Sequence, residues 1–427
     1  MKIEWVNHAS FILEKDNIRI ISDPWLEGNV FDNGWSLLSK TKFQYEDFKN
    51  ITHIWFSHEH PDHFFPPNIK KIPKEYREKI TILFQQTNDR KVVNFCREQG
   101  FAEIIEMAPY KEYELSDDLK IMCTPFGHDS WISYKTSDQT FVNINDCEFS
   151  TKDQLMDVVR RVGKVDLLLT QFSFAGYPGT AESAKEKREK LALQANVLKP
   201  EYLIPFASFV WFCHEENYYM NKAINKIGDI YHYIQQETDA KPVILYPGEK
   251  WQLLSEHDSL ASINMYNADY KKIEENPELV KTKVIDQAVL EQVYSKFVKD
   301  IKEKNNLFLV KLLMVKEPTV VYLTDYKKAF KMDIIKGTFE ESNTDYDHCD
   351  IALSSDALHF SLKFPWGWDT LNINGRFHAP EHGNVHRFRS IGNVQLRNSH
   401  AEYLTTSYLI EKAIIRAKRK IKRLPQK

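Results

Sequence analysis

The apolar run ITHIWF (51–56) passes directly into SHEHPDHFF (57–65), and this junction constrains the chain more than any other stretch. A short apolar run of this kind reads as a buried strand. At its end His58, Glu59, His60, Pro61, Asp62 and His63 spell H-x-H-x-D-H. Alternate residues of an extended segment share a side, so His58 and His60 face one point in space. Pro61 and Asp62 are turn residues. Beyond the turn Asp62 and His63 point elsewhere, where they are able to serve a second ion. Neutral imidazoles and a carboxylate are ligands that suit zinc or iron. A solvated turn is the plainer reading of a histidine-rich loop, but it leaves the spacing unexplained.

A two-ion site needs more ligands than four, so other strand ends must supply them. Three residues stand at such ends: His128 in CTPFGHDS, Asp146 in FVNINDC and His214 in FVWFCHEE. Asp23, in IISDPWL, is a fourth strand-end group. Its expected part is to accept a hydrogen bond from a metal-bound imidazole, because such imidazoles need an acceptor for their other N–H.

The rest of the chain supports a layered architecture. Runs such as IEWV, SFILE, IRIIS, TILF, LKIMCT, TFVNIN, VDLLLT, YLIPF and PVILY read as strands. Helical patterns cover 89–99, 151–163, 180–198 and about 215–237. Strands that dominate early and alternate with helices later predict α/β layers over 1–255 with helices outside the sheets. Residues 256–305 read as a charged helical connector, and 306–400 as a smaller α+β domain with strands at LFLVKLLMV, TVVYLT, ALHFSLKF and TLNING. The last stretch, 401–427, reads as an amphipathic helix. Ile410, Ile414, Ala417, Ile421 and Leu424 recur on one face, and the other face is strongly basic.

The formal net charge of −3 gives no general case for nucleic-acid binding. No apolar run approaches a membrane span, and the first residues, MKIEWVNHAS, do not read as a signal peptide. The five cysteines are scattered, as expected for reduced thiols in a cytoplasmic protein.

In their order along the chain, Asp23, the H-x-H-x-D-H run, His128, Asp146 and a late histidine resemble the metallo-β-lactamase superfamily over about residues 1–255. The resemblance implies the αβ/βα four-layer sandwich of that superfamily, with the smaller α+β domain behind it. It implies two divalent ions, iron favoured, with zinc or manganese as alternatives. His58, His60 and His128 would hold the first. Asp62, His63 and His214 would hold the second, Asp146 would bridge, and His8 would border the pair. The usual late histidine follows the last strand directly; here that place reads IPFAS, and His214 lies farther on.

A nearer resemblance is to CMP-N-acetylneuraminate hydroxylases. It is carried by VNHASFILEKDNIRIISDPWLEGNVFDNGWSLL, SHEHPDHFFPPNIKKI, VNINDCEFS, FAGYPG and IPFASFVWFCHEENYY, and more weakly by FPWGWDTLNINGRFHAPEHGNVHRFRSIGNVQL. It implies a di-iron oxygenase acting on a small molecule such as a nucleotide sugar or another anionic metabolite. Those hydroxylases carry a Rieske iron–sulfur domain, whereas no C-x-H or C-x-x-H pair exists here to hold such a cluster. The expected electron source is therefore a separate ferredoxin-type protein. The alternative is a hydrolase in which a metal-bound hydroxide attacks a phosphoester, lactone or amide. A non-catalytic metal-binding protein ranks third.

His378, His382 and His386 have helical spacing, but Pro380 and Gly383 argue against a helix there. Phe364, Trp366 and Trp368 suit core packing better than an active-site wall. SFAGYPGT lacks the pattern of a phosphate-binding loop.

Overall fold

The computed structural model describes residues 1–410, and from residue 411 on the expected C-terminal helix lies outside the described residues. The chain forms two compact units. One comprises Met1–Cys213 with Tyr218–Leu279, and the other His214–Asn217 with the chain from Val280 onward.

In the first unit the expected strands build two seven-stranded sheets. The first runs Lys250–Gln252, Lys2–Asn7, Ser10–Lys15, Ile18–Ser22, His53–Phe56, Thr81–Gln85, Glu103–Met107 across its width. The second runs Lys241–Pro242, Tyr202–Phe206, Leu167–Gln171, Thr140–Asn143, Asp129–Lys135, Leu119–Phe126, Glu112–Ser116. Pairing is antiparallel where hairpins connect neighbours and parallel from Ile18–Ser22 to Glu103–Met107 and from Thr140–Asn143 to Lys241–Pro242. Parallel neighbours require long crossovers. Helices Lys91–Glu98, Lys152–Val162, Ala181–Leu198 and Ile227–Glu237 lie in those connections.

The two sheets pack face to face. Phe11 of the first lies 5.4 Å from Phe141 and 5.7 Å from Phe206 of the second, ring centre to ring centre. On the outer face of the first sheet Val6, Ile12, Ile54 and Phe56 meet Ile69, Val92 and Val93 of the helices. Leu155, Val158, Leu191 and Leu198 are the buried stripe of the helices on the second sheet. This is the helix–sheet–sheet–helix sandwich expected from sequence. Parallel strands end at a common edge, so the loops after Ser22, Phe56, Asn143 and Phe206 are the ones placed to share a site.

The expected boundary at 255 moves. Helix Ser259–Glu275 belongs to the first unit, with Ile263, Tyr266 and Tyr270 buried in its core. Tyr266 donates its hydroxyl proton to Leu245 O at 2.9 Å and accepts from Trp5 Nε1 at 3.1 Å. The other half of the expected connector, Gln287–Lys304, goes with the second unit. The helix expected over about 215–237 forms only as a 3₁₀ turn, Tyr218–Ala223, and then Ile227–Glu237.

The second unit is α+β. Its sheet runs Thr338–Ser342, Lys328–Asp333, Thr319–Leu323, Ile351–Leu353. Three runs read as strands are helical instead: LFLVKLLMV forms Leu307–Leu313, ALHFSLKF falls in Ser355–Lys363, and TLNING in Gly367–Asn374. Capping decides this. Asn306 accepts from the N–H groups of Phe308 and Leu309, Ser354 from that of Ala357, and Gly375 ends the third helix at φ +66°. His378 and His382 precede helix Val385–Ser399, so the three histidines share no helix face. Trp366 is exposed, whereas Trp368 is buried against Phe377 and Phe388. No described helix is long and apolar enough to cross a membrane. All five cysteines are free and buried.

Candidate metal centre

Five strand-end segments of the first unit bring titratable side chains together. His8 sits in the tight turn after Lys2–Asn7. Asp23 follows Ile18–Ser22, the H-x-H-x-D-H run follows His53–Phe56, Asn145 and Asp146 follow Thr140–Asn143, and Asp129 opens Asp129–Lys135. After His60 the chain turns back, with the N–H groups of His63 and Phe64 both donating to His60 O at 3.0 and 2.7 Å. That turn separates the two halves of the motif.

The histidines are oriented from behind by Asp23, which is fully buried. Its Oδ1 accepts from Ser57 N at 2.8 Å. Its Oδ2 accepts from Ser57 Oγ at 2.8 Å, His63 Nδ1 at 2.9 Å and Asn145 Nδ2 at 2.9 Å. A carboxylate only accepts, so the Ser57 hydroxyl must give its proton to Asp23. Ser57 Oγ then accepts from His58 Nδ1, 2.9 Å away. One carboxylate thus fixes the tautomers of two imidazoles, His63 directly and His58 through Ser57. That leaves Nε2 of each as the nitrogen that faces a metal ion, with its lone pair available once any proton on it is displaced, as a ligand requires.

Those lone pairs converge with carboxylates in overlapping groups. His58 and His60 meet Asp129; His58 and His63 meet Asp146; His63 and Asp62 meet His8; within each group the ligand atoms lie within 4.8 Å of one another. His58 Nε2 is 2.9 Å from His60 Nδ1 and 3.7 Å from Asp129 Oδ1. His63 Nε2 is 3.3 Å from Asp62 Oδ2 and 3.4 Å from Asp146 Oδ2. Ligands about 2.1 Å from an ion at tetrahedral angles stand about 3.4 Å apart. The spacing is that of a coordination shell. His63 Nε2, Asp62 Oδ1, Asp146 Oδ1 and His8 Nδ1 are buried polar atoms without a hydrogen-bond partner. Native structures seldom tolerate such atoms unless an ion or water satisfies them. The donor set therefore fits divalent cations.

Electrostatics agree. Burial, with the neighbouring His63 and His60, pushes the His58 imidazole down to about 3, so it is neutral. Burial alone would lower His63, but the charges of Asp62, Asp146 and Asp23 outweigh it and hold it well above its ordinary value. Burial would raise Asp62, but His63 and His8 hold it well below the usual carboxylate range. Burial raises the Asp129 carboxyl to about 6, with Asp146 adding to the effect.

Two expected ligands are placed differently. His128 is at the exposed tip of a hairpin, where its backbone O accepts from Gln85 Nε2 at 2.9 Å. The neighbouring Asp129 supplies the group that stands near His58. His214 is sorted with the second unit and joins none of these groups. It is buried, and its imidazole is pushed down to about 4 by that burial and by Arg376. His8, expected to border the ions, has its Nε2 3.1 Å from Asp62 Oδ2. Asp129, Ser57 and Asn145 were not singled out from sequence. Asp129 carried a signal, since a carboxylate adjoining a candidate histidine at a strand start is one residue from the same place. The backbone marks the region as well: His8, Asp23, Asn145 and Ala207 all take left-handed φ values, from 31° to 47°. Such conformations are strained for non-glycine residues and gather at functional sites.

Residues 2–108 match the family model of the Beta-lactamase superfamily domain. The cytidine monophosphate-N-acetylneuraminic acid hydroxylase of Mus musculus is 24% identical over 249 residues, which cover 53% of this chain and 42% of that protein. The inactive homologue of Homo sapiens is 26% identical over 249 residues, with 53% and 48% covered. The chain thus spans less than half the length of these curated relatives. Among solved structures, a possible metal-dependent hydrolase from Veillonella parvula aligns over 59% of this chain and 99% of its own at 15% identity, with a TM-score of 0.46. CmlA, a diiron β-hydroxylase from Streptomyces venezuelae, aligns over 59% and 54% at 13% identity, with a TM-score of 0.42.

Proposed function

We propose that the chain, whose first hundred residues match the β-lactamase superfamily domain, is a metal-dependent oxygenase with two iron ions at the cluster described above. The observation that carries this reading is the group His58, His60 and Asp129. Two imidazoles and one carboxylate with positions left open form the donor set of non-haem iron oxygenases, whereas three histidines are a familiar zinc set. The hydroxylase names of the sequence relatives point the same way.

In this reading His58, His60 and Asp129 hold one ion, and Asp62, His63 and Asp146 the other, with His8 bonded to Asp62. Bound iron would supply oxygen activation. The protein's own part is orientation and charge: Asp23 and Ser57 present the Nε2 lone pairs, and Asp62, Asp129 and Asp146 offset most of the charge of two dications. The substrate class we propose is a nucleotide sugar or a similar anionic metabolite. The electrons come from a ferredoxin-type donor, because these 427 residues hold no C-x-H or C-x-x-H pair for a Rieske cluster. That same fact favours the second reading, hydrolysis, in which no electrons are needed.

The test is metal content followed by turnover. Chain expressed with iron and zinc both supplied should retain iron. With CMP-N-acetylneuraminate as probe it should hydroxylate only with O₂ and a reduced ferredoxin present. Zinc retention, together with repeated anaerobic cleavage of an ester or phosphodiester, would promote the hydrolase instead.

A further inference from the structure

The partner of a histidine's far nitrogen tells whether its near nitrogen offers a lone pair or a proton. His63 and His58 each give an Nδ1–H to an oxygen, so Nε2 is the nitrogen left to bind a metal. His214 is built the other way round. Within the second unit, the backbone N–H of Glu216 donates to His214 Nδ1 at 3.2 Å. The backbone there is pinned: His214 N donates to Asn217 Oδ1 at 3.0 Å, Glu215 N to Val280 O at 3.0 Å, and Asn217 Nδ2 to Asn374 O at 2.7 Å. Glu216 Oε2 lies 3.4 Å from Nδ1, long for a hydrogen bond, and is committed to Arg376 Nε at 2.7 Å.

Nδ1 therefore accepts and carries no proton, and in a neutral imidazole the proton sits on Nε2. That Nε2 is buried and has no partner, and His214 as a whole is 1% exposed. To bind a metal through Nε2 the ring would have to lose its last proton and become an imidazolate.

We propose that His214 is a ligand-binding residue that donates its Nε2–H to a neutral oxygen acceptor, and is not a metal ligand. The charge around it selects the acceptor. Arg376, itself 1% exposed, is held by Glu216 at 2.7 Å and Asp356 at 2.8 Å, one cation against two carboxylates. Glu215 is matched by Lys281 at 2.9 Å. Arg376 is the nearest strong charge to the ring, but its guanidinium is already committed to Glu216 and Asp356, so a carboxylate or phosphate buried at Nε2 would have no cation of its own, which favours a hydroxyl, carbonyl or amide oxygen instead. The inference stands whether the enzyme oxygenates or hydrolyses.

The test is proton-detected nitrogen NMR of the full chain with ¹⁵N-labelled histidine, without metal and loaded with zinc, using His214→Gln to assign the signal. His214 should keep its proton on Nε2 in both states. His214→Ala should bind as many zinc ions per chain as the parent; if it fails to fold, His214→Gln is read instead. Loss of the Nε2 proton on zinc loading, or loss of one zinc equivalent in a folded variant, overturns the proposal. Failure of the parent chain to bind zinc would count against the metal centre and leave the His214 tautomer still readable. For the acceptor, acetamide should shift the Nε2–H signal and acetate should not. A larger shift with acetate, or none with either probe, overturns the assignment of a neutral acceptor.

Discussion

Replacing Asp23 by asparagine removes one acceptor from the group that orients two imidazoles, and the geometry sets how much is lost. Oδ1 serves Ser57 N, and Oδ2 serves Ser57 Oγ, His63 Nδ1 and Asn145 Nδ2, all at 2.8–2.9 Å. An amide has one oxygen. With it on the Oδ2 side, three donors keep an acceptor and Ser57 N–H faces an NH₂ group. With it on the Oδ1 side, His63 Nδ1 faces that NH₂ group, and the ring must move its proton to Nε2, where it blocks the metal. The first orientation wins. It leaves one buried backbone donor unpaired, at about 1–3 kcal/mol, and replaces a charged acceptor behind His63 by a neutral one. Metal affinity should fall roughly ten- to a hundredfold, which corresponds to about 1.4–2.7 kcal/mol. Competition for zinc against a chelator of known affinity measures this directly, with His63→Ala alongside as the loss of a direct ligand. A loss in Asp23→Asn as complete as in His63→Ala would make Asp23 a ligand itself. An unchanged affinity would refute the claim that it orients anything.

His58→Ala and His60→Ala should each lower metal content while circular dichroism stays near that of the parent, because both side chains lie on a loop at the sheet edge; full metal content in either sinks their assignment. Asp129→Ala should lower occupancy of the same ion and His128→Ala should not, so elemental analysis of the two variants tests which residue of the hairpin matters. Metal binding should release a proton from His63, whose Nε2 is held protonated by Asp62 and Asp146 until a cation replaces that proton. Affinity should therefore rise about tenfold per pH unit below the raised His63 value and level off above it, with no contribution near neutrality from His58, which is pushed down to about 3; zinc titration in weakly buffered solution across pH checks the sign. In the second unit, a Cβ on Gly392 would meet Trp368 Cγ at 2.0 Å; Gly392→Ala should destabilise by about 1–3 kcal/mol through overpacking, read from urea unfolding.

What the sequence showed and what it hid divide along range. H-x-H-x-D-H is local: alternation, a turn and a strand end suffice to predict that its side chains face two points. The sandwich was legible for the same reason, since period-two runs and capped helices are short-range signals. The hairpin holding His128 and Asp129 was not, because the strand Asp129–Lys135 begins at Asp129 and leaves His128 at the exposed tip. A shift of one residue reverses which side chain points inward. The hub at Asp23 joins residues as far apart as Asn145, a separation of 122 positions, and no spacing rule reaches that far. In the second unit the apolar runs gave no period able to separate strand from helix, and the deciding atoms were the cap oxygens of Asn306 and Ser354.

The strained residues explain why this edge of the sandwich is set before any ion arrives. His8, Asp23, Asn145 and Ala207 each sit at a left-handed φ, a conformation that costs of order 1–3 kcal/mol per residue. Each is held by bonds that do not involve a metal. Ala207 N donates to His8 O at 3.0 Å, and Asn145 N to Asn143 Oδ1 at 3.0 Å. Asp23 N donates to Trp55 O at 2.9 Å, while the Asp23 carboxylate binds Ser57, His63 and Asn145. These contacts tie the turn between the first two strands to the ends of strands in both sheets. The surrounding core bears the strain, and the imidazoles stand with their tautomers already chosen. A cation then meets formed ligands instead of ordering a loose loop, so the free energy of binding is not spent on folding. In a small zinc-folded domain the reverse holds, and removing the metal unfolds the chain. Here removal should instead leave buried carboxylates and imidazoles paired with one another, as Asp62 and Asp146 already are with His63.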